Sequence, residues 1–397
     1  MLEVVHSFQV WLPLTMTWAY NQVRYAPGVA ATVLADELQS PDAFPWDPVL
    51  VLSPTDRLVA AAGHRLGRPQ PPRSLLRALR SGSPDIVHSH FGYRGWQDLP
   101  LASRLDARHV VTFYGHDVQK FPRTWPAWRR RYERLFATAD LFLCEGPHMA
   151  ATLVGEGAPA ERVRVQRLGV DLDRLSYTPR VAPDDGRVRV LIAGAFREKK
   201  GIPDALEAVA RVRAAGVDVT VTLIGDAGTA EDERRERRRI LATIARNDLE
   251  GAVRLLGFQP YDRLLAEAAT HHLCLSPSRH AADLDSEGGA PVVLIELAAL
   301  GMPIVSTRHC DIPEVVDDGV TGLLADEGDV DGIAARLGEL AGEPERWAVM
   351  GLAARRRVEE RFDVHVCARR LVERYDELAD GISGGHAAGG GVPVAQG

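Results

Sequence analysis

At 397 residues the chain is long enough for two domains or three, and 46% hydrophobic residues suffice for a packed core in each. A net charge of −7 argues against a general nucleic-acid binder, which is usually basic. Cys144, Cys274, Cys310 and Cys367 form no CxxC pair and no zinc-spaced cysteine–histidine motif, so reduced, buried thiols in a cytoplasmic protein are expected.

No secretory-type charged segment precedes a long apolar stretch at Met1. No run of about eighteen apolar residues occurs, so a spanning helix is not expected. In chain order, Pro48 to Leu52, Ile86 to His88, Val110 to Phe113 and Leu141 to Cys144 are short apolar runs that read as buried strands. Between them, "LLRALRSG" ends in a helix-stopping glycine. "WPAWRRRYERLFATAD" places Trp125, Trp128, Tyr132 and Leu135 three or four residues apart, as on one helix face. "SYTPRVAPDDGR", rich in Pro, Asp and Gly, reads as a linker.

A second alternation follows: "VRVLIAG" strand, "IPDALEAVARVRAAG" helix, "VTVTLIGDAG" strand, "AEDERRERRRILATIARND" charged helix, "VRLLGF" strand. "YDRLLAEAATH" helix, "HLCLSPS" strand, "PVVLIELAALG" helix and "PIVST" strand complete it. Alternating β and α units imply parallel sheets covered on both faces. The expected organisation is an N-terminal domain over 1–177, a linker over 178–187 and a C-terminal domain over 188–360. A helix over 361–380 would pack back on the N-terminal domain, and a Gly/Ala-rich disordered tail would occupy 381–397. Two doubly wound domains facing each other make a cleft at the carboxyl ends of their strands, where such sheets bind ligands.

The stretch "SEGGAPVVLIE" carries the strongest chemistry. Gly288 and Gly289 let the backbone bend and approach a ligand closely, and Pro291 suits the start of a helix. The helix that opens at Ala290, Pro291 and Val292 offers free N–H groups and a positive dipole end, a seat for phosphate. Glu287, in the loop before it, suits a polyol rather than an anion. Glu296, more than a turn inside, can reach further hydroxyls. Sugar, diphosphate and ribose each find a partner, although a plain loop and helix is an equally good reading of this stretch alone. "AGAFREKKG" follows a strand and is not GxGxxG, which weakens a dinucleotide reading. It puts Gly194, Arg197, Lys199 and Lys200 at the strand end, where cations can neutralise a leaving diphosphate; Lys199 reads as solvated.

In order, "GAFREKKG", "LIGDAG", "LLGF", "LSPS", "SEGGAPVVLIELAALGMPIVST" and "IPEVVDDGVTGLL" resemble the nucleotide-binding domain of retaining family 4 glycosyltransferases of the GT-B fold. "HSHFG", "VVTFYGHDV" and "RLGVDLDRL" resemble the acceptor domain and linker, and the nearest relatives implied are colanic acid and exopolysaccharide transferases. Glu287 and Glu296 stand nine residues apart, one more than usual in the family, with the extra residue in Gly288-Gly289-Ala290. Ala195 occupies the family's arginine position, which Arg197, two residues on, can replace on a strand-like path. Lys200 matches the family lysine. Tyr114 stands where the family often has histidine, and His116 is the nearest histidine.

The resemblance implies a transferase that moves a sugar from a nucleotide-diphosphate sugar to an acceptor hydroxyl with retention. Glu287, Lys200, Arg197 and His116 would be catalytic. Glu296, Gly288, Gly289, Ala290, Pro291, Val292, Gly194 and Phe258 would bind the donor, and His90, Tyr114 and Asp117 the acceptor. It implies no cofactor, no metal and no nucleic acid. The acceptor would be a carbohydrate or lipid-linked, with a product in a polysaccharide or glycoconjugate; oligomeric state is left open. "DLD" at 171–173 and 283–285 is DxD by letter, without an evident partner. His88 and His90 face one side of a strand, half of a metal site with no third ligand evident; His90 is expected to face the acceptor. Arg129, Arg130, Arg131 and Arg134 read as a solvated basic face, or as a peripheral contact with anionic lipid. A non-catalytic nucleotide-sugar-binding protein and a nucleotide-sugar epimerase on a similar fold are the alternatives.

Overall fold

The computed structural model describes residues 1–13, 16–80, 82–118 and 120–385. The first half forms a parallel sheet of seven strands: β1 (Leu2–Trp11), β2 (Val29–Leu38), β3 (Val49–Val51), β4 (Ile86–His90), β5 (Arg108–Thr112), β6 (Leu141–Cys144) and β7 (Val163–Val165). Their order is β3-β2-β1-β4-β5-β6-β7. The second half forms a six-stranded sheet: β8 (Val188–Ala193), β9 (Val219–Ile224), β10 (Val253–Gly257), β11 (Leu273–Ser276), β12 (Ile304–Thr307) and β13 (Gly322–Ala325). Their order is β10-β9-β8-β11-β12-β13. All pairings between these strands are parallel.

Helices cover both faces of each sheet, so the strands read as continuous apolar runs rather than alternating ones. Strand order reverses between β1 and β4, and again between β8 and β11. At such a switch point the flanking loops diverge and leave a crevice. The loops after β8 and β11 carry Gly194 to Lys200 and Pro277 to Pro291, so the two motifs sit side by side.

Several elements differ from expectation. β1 escapes a search for apolar runs because His6, Ser7 and Gln9 interrupt it; all but Gln9 are buried. β2, β7 and β13 are likewise additions. Trp125 lies outside the helix Ala127–Thr138 and is 59% exposed, while Trp128, Tyr132 and Leu135 do face inward. Arg131 is packed rather than solvated: its guanidinium lies 4.4 Å and 4.5 Å from the ring centroids of Trp96 and Trp128. The segment read as a linker is partly strapped to the C-terminal domain. Arg180 is buried, and Tyr177 lies so close to Gly301 that a Cβ there would sit 2.6 Å from its ring.

The chain crosses between domains twice, side by side, where the Val170 N–H donates to the Phe362 carbonyl and the Val364 N–H donates to the Val170 carbonyl. The final helix, Val364–Gly385, returns to the first sheet, and Leu371 and Tyr375 pack on Val4, Ile86 and Val110. It runs past the expected end at residue 380, because extending a formed helix adds one bond per residue fixed. The rest of the expected tail, 386–397, lies outside the described residues.

Candidate active site

Glu287 is the centre of the site. Its carboxylate accepts from Lys200 Nζ at 3.0 Å and from Ser278 Oγ at 2.8 Å, and Lys199 Nζ stands 3.8 Å away. Burial opposes ionisation, yet Lys200 and Lys199 hold the carboxyl down at about 2. Arg197 donates to Asp285 at 2.6 Å, and Lys199 donates to Asp285 and to the Ser286 carbonyl. Lys199 is therefore not the solvated residue expected; its side chain is 12% exposed and ties the two loops together. Three cations face two carboxylates, which leaves the crevice positive.

Glycines set the loop's path. Gly288 has φ +76°, and a Cβ there would fall 2.1 Å from the Cα of Gly115 in the opposite domain. A Cβ on Gly289 would fall 1.9 Å from a carboxylate oxygen of Glu145, again across the cleft. The extra loop residue is thus accommodated against the N-terminal domain. Lys120 and Asp283 add an ion pair of 2.6 Å across the same cleft.

Asp311 binds further along. Its two oxygens accept from the His148 and Met149 N–H groups at 2.7 Å and 3.2 Å. Those amides begin the helix Pro147–Gly155 of the opposite domain, whose own cap residue, Gly146, has no side chain to offer.

Pro291 precedes the helix Val292–Ala299, one residue later than expected, and Ala290 is half-buried before it. Glu296 is buried on that helix and accepts from Tyr261 OH at 3.0 Å. Burial pushes its carboxyl up to about 7, against the pull of Tyr261 and Arg174. Gly194 follows β8 beside the Lys200 stem, and Phe258, after β10, is 62% exposed.

On the N-terminal side the expected residues divide. His116 is half-buried beside Phe91 and Tyr93. Tyr114 is buried at the edge of the cleft, its ring against Trp18. His90 does not face the cleft: it is fully buried, stacked on Phe8, and its Nδ1 lies 2.6 Å from Tyr114 OH. Asp117 is also turned inward, because its carboxylate accepts from the Gly92 and Tyr114 N–H groups.

A third imidazole does accompany His88 and His90. His6 stands opposite His88 in the β1–β4 register and bonds His90 at 3.1 Å. Five of the six ring nitrogens have partners, among them Tyr375, Thr112 and Tyr114, and only His6 Nε2 lacks one. The cluster reads as a buried hydrogen-bonded core of neutral imidazoles, their pKa values lowered by burial.

Neither DxD run forms a free acid pair. Asp171 accepts from Tyr25, Asp283 from Lys120, and Asp285 from Arg197 and Lys199. Asp285, Ser278 and Glu145 escaped sequence reasoning. Asp285 had a signal in its place two residues before Glu287. Glu145 follows β6 at the cleft, and burial together with Asp311, Asp117 and Glu287 pushes its carboxyl well above the usual range.

Two facing doubly wound domains with a charged crevice at the switch point define a GT-B protein. Known structures agree on the fold. Anabaena Alr3699/HepE in complex with UDP and glucose superposes with a TM-score of 0.75 at 19% identity, over 95% of this chain and 100% of that one. A glycosyltransferase from Rickettsia africae gives 0.74 at 14% identity, over 95% and 98%.

The sequence narrows the class further. Residues 25–174 match the model described as Glycosyltransferase Family 4, and residues 187–343 match Glycosyl transferases group 1. The amylovoran biosynthesis glycosyltransferase AmsK of Erwinia amylovora is 35% identical over 298 residues, 74% of this chain and 70% of AmsK. A GDP-mannose-dependent alpha-(1-6)-phosphatidylinositol monomannoside mannosyltransferase of Mycolicibacterium smegmatis is 27% identical, over 80% of this chain and 85% of that protein. The chain belongs to the family 4, group 1 glycosyltransferases, and it is a transferase enzyme.

Proposed function

We propose that this glycosyltransferase moves a sugar from a nucleotide-diphosphate sugar to an acceptor hydroxyl with retention of configuration, in the assembly of an exopolysaccharide or related glycoconjugate. The observation that carries the reading is Glu287, ionised beneath Lys200 and Lys199 at the switch-point crevice. Its carboxylate receives donor-sugar hydroxyls. Glu296, beneath Tyr261, receives the ribose, and the exposed ring of Phe258 lies against the base. Arg197 and Lys200, with the N–H groups that open the helix Val292–Ala299, stabilise charge growing on the leaving diphosphate. The preorganised cations make a metal unnecessary for that step. His116 meets the acceptor from the other side.

AmsK supports an exopolysaccharide product, and the UDP and GDP-mannose named for its relatives support a nucleotide-sugar donor. Among the described residues no helix is long and apolar enough to cross a membrane. The exposed Trp125, with Arg123, Arg129 and Arg130 nearby, supports contact with anionic lipid beside a lipid-linked acceptor on the cytoplasmic side. Co-sedimentation with anionic vesicles, lost in Trp125→Ala, tests that part.

The central test is a melting screen against UDP, GDP, ADP and their sugars, with and without EDTA. A rise with one diphosphate, insensitive to EDTA, is expected. No rise with any nucleotide well above millimolar concentration overturns the donor site. Retention is checked by the anomeric signals of the product in proton NMR.

A further inference from the structure

Behind the Glu287 loop lies a second cluster that the transfer reaction does not use. His309 follows β12 and is fully buried. Its Nδ1 lies 2.7 Å from Glu327 Oε1, and its Nε2 accepts the Glu287 N–H at 3.1 Å. These partners assign the proton to Nδ1 and the lone pair to Nε2. His280, on the loop after β11, is half-exposed and repeats the arrangement. Its N–H donates to Glu327 at 2.8 Å, and its Nδ1 lies 2.9 Å from the same oxygen. One carboxylate thus binds both imidazoles at Nδ1 and leaves both Nε2 atoms as acceptors.

Cys310 completes the group. Its backbone is left-handed, φ +47°, which folds its side chain back toward that of its predecessor. Sγ lies 3.2 Å from His309 Nε2. One ligand atom from each of His280, His309 and Cys310 lies within 4.8 Å of the others.

We propose that His280, His309 and Cys310 bind a soft divalent cation of the zinc class, with Glu327 as the carboxylate that orients both rings. Two imidazoles and a thiolate are the donor set such ions favour, and magnesium and calcium do not. A carboxylate on the far nitrogen of a ligating histidine is the usual supporting arrangement. No cysteine–histidine spacing announces the site, because its ligands come from two loops joined by the β11–β12 pairing. The buried imidazoles His6, His88 and His90 differ in that five of their six ring nitrogens are bonded within the core and no thiol stands beside them.

The site has a consequence for the reaction, which rests on the role proposed for Glu287. The Nε2 lone pair that would take the cation now holds the Glu287 N–H. Both cannot use it. Cation binding strips that N–H of its acceptor and displaces the loop, so zinc opposes donor binding.

The test is a Co²⁺ titration of the full chain, followed by the thiolate-to-cobalt charge-transfer band and the tetrahedral visible bands. The expected result is one equivalent bound, loss of the charge-transfer band in Cys310→Ser, and affinity weaker by at least about tenfold in His280→Ala. His280 is half-exposed, so this variant folds. A band that persists in Cys310→Ser, affinity unmoved by His280→Ala, or no cobalt bound overturns the site. Nucleotide titrations with and without Zn²⁺ test the antagonism separately. Weaker nucleotide binding with zinc in the native chain, absent in His280→Ala, is expected; unchanged binding with the cobalt spectrum intact overturns the antagonism alone. If no nucleotide binds under any condition, it is the donor-site reading that fails, and the spectrum still decides the metal site.

Discussion

At the carboxyl edge of the C-terminal sheet, Arg197, Lys199, Lys200 and Glu287 meet one another at the crevice, with side-chain exposures from 6% to 35%. At the matching edge of the N-terminal sheet, His90 and Asp117 are turned inward at 0% exposure and hold up Tyr114 and the Gly92 turn. The same topology therefore serves two purposes. The C-terminal edge gathers paired charges at the crevice. The N-terminal edge buries its polar groups, Tyr114 included, as a frame and leaves the half-buried His116 beside the cleft.

That contrast can be broken by substitution. Lys200→Ala removes a crevice cation and should lower kcat by a factor of about 100 to 1,000, roughly 3 kcal/mol, as for other preorganised donors to a developing anion. Steady-state kinetics on a defined acceptor checks it, and an unchanged kcat would remove Lys200 from the leaving-group role.

Glu296→Gln probes the buried end of the same edge. The folded pKa of Glu296 is raised from 4.5 to about 7, so its contribution to stability is full below the unfolded value and is lost as pH rises through 7. The glutamine variant should therefore be more stable than the native chain by about 3 kcal/mol at pH 8, and by under about 1 kcal/mol at pH 5. Urea midpoints at the two pH values decide this. The variant should also bind nucleotide more weakly.

On the N-terminal edge, Asp117→Asn leaves a backbone N–H without its charged acceptor. It should cost about 1–3 kcal/mol of stability and leave nucleotide affinity unchanged. Unchanged stability with a raised acceptor KM would return Asp117 to the cleft and erase the contrast. Phe258→Ala is expected to move stability by less than about 0.5 kcal/mol, since the ring is mostly exposed. Nucleotide affinity should fall by up to about tenfold, as for a lost stacking surface; calorimetry separates the two effects.

Legibility in the sequence follows the same division. Both C-terminal motifs are contiguous and sit at strand ends, so Glu287, Lys200, Arg197 and Glu296 could be placed from local order alone. Their supports could not. Lys199 meets Asp285 only because two loops 86 residues apart flank one switch point. The inward turn of His90 was hidden because alternation along a strand tells which face a residue takes, not how deep its end lies, and that of Asp117 because the amides it caps, Gly92 and Tyr114, come together only in the fold. The partner of His88 and His90 required the pairing of β1 with β4, and β1 does not read as a strand. The extra loop residue was visible as a spacing, but its accommodation against Gly115 and Glu145 belongs to the other domain.

The bond from Asp311 to His148 and Met149 gives the enzyme a built-in gauge of its own opening. The first turn of the helix Pro147–Gly155 is completed by a residue from the opposite half of the molecule. Were the halves to part, that turn would lose its cap and its amides would meet water. Hydrogen exchange at those two positions would then count the breathing of the cleft, and a tightly held nucleotide would slow the count.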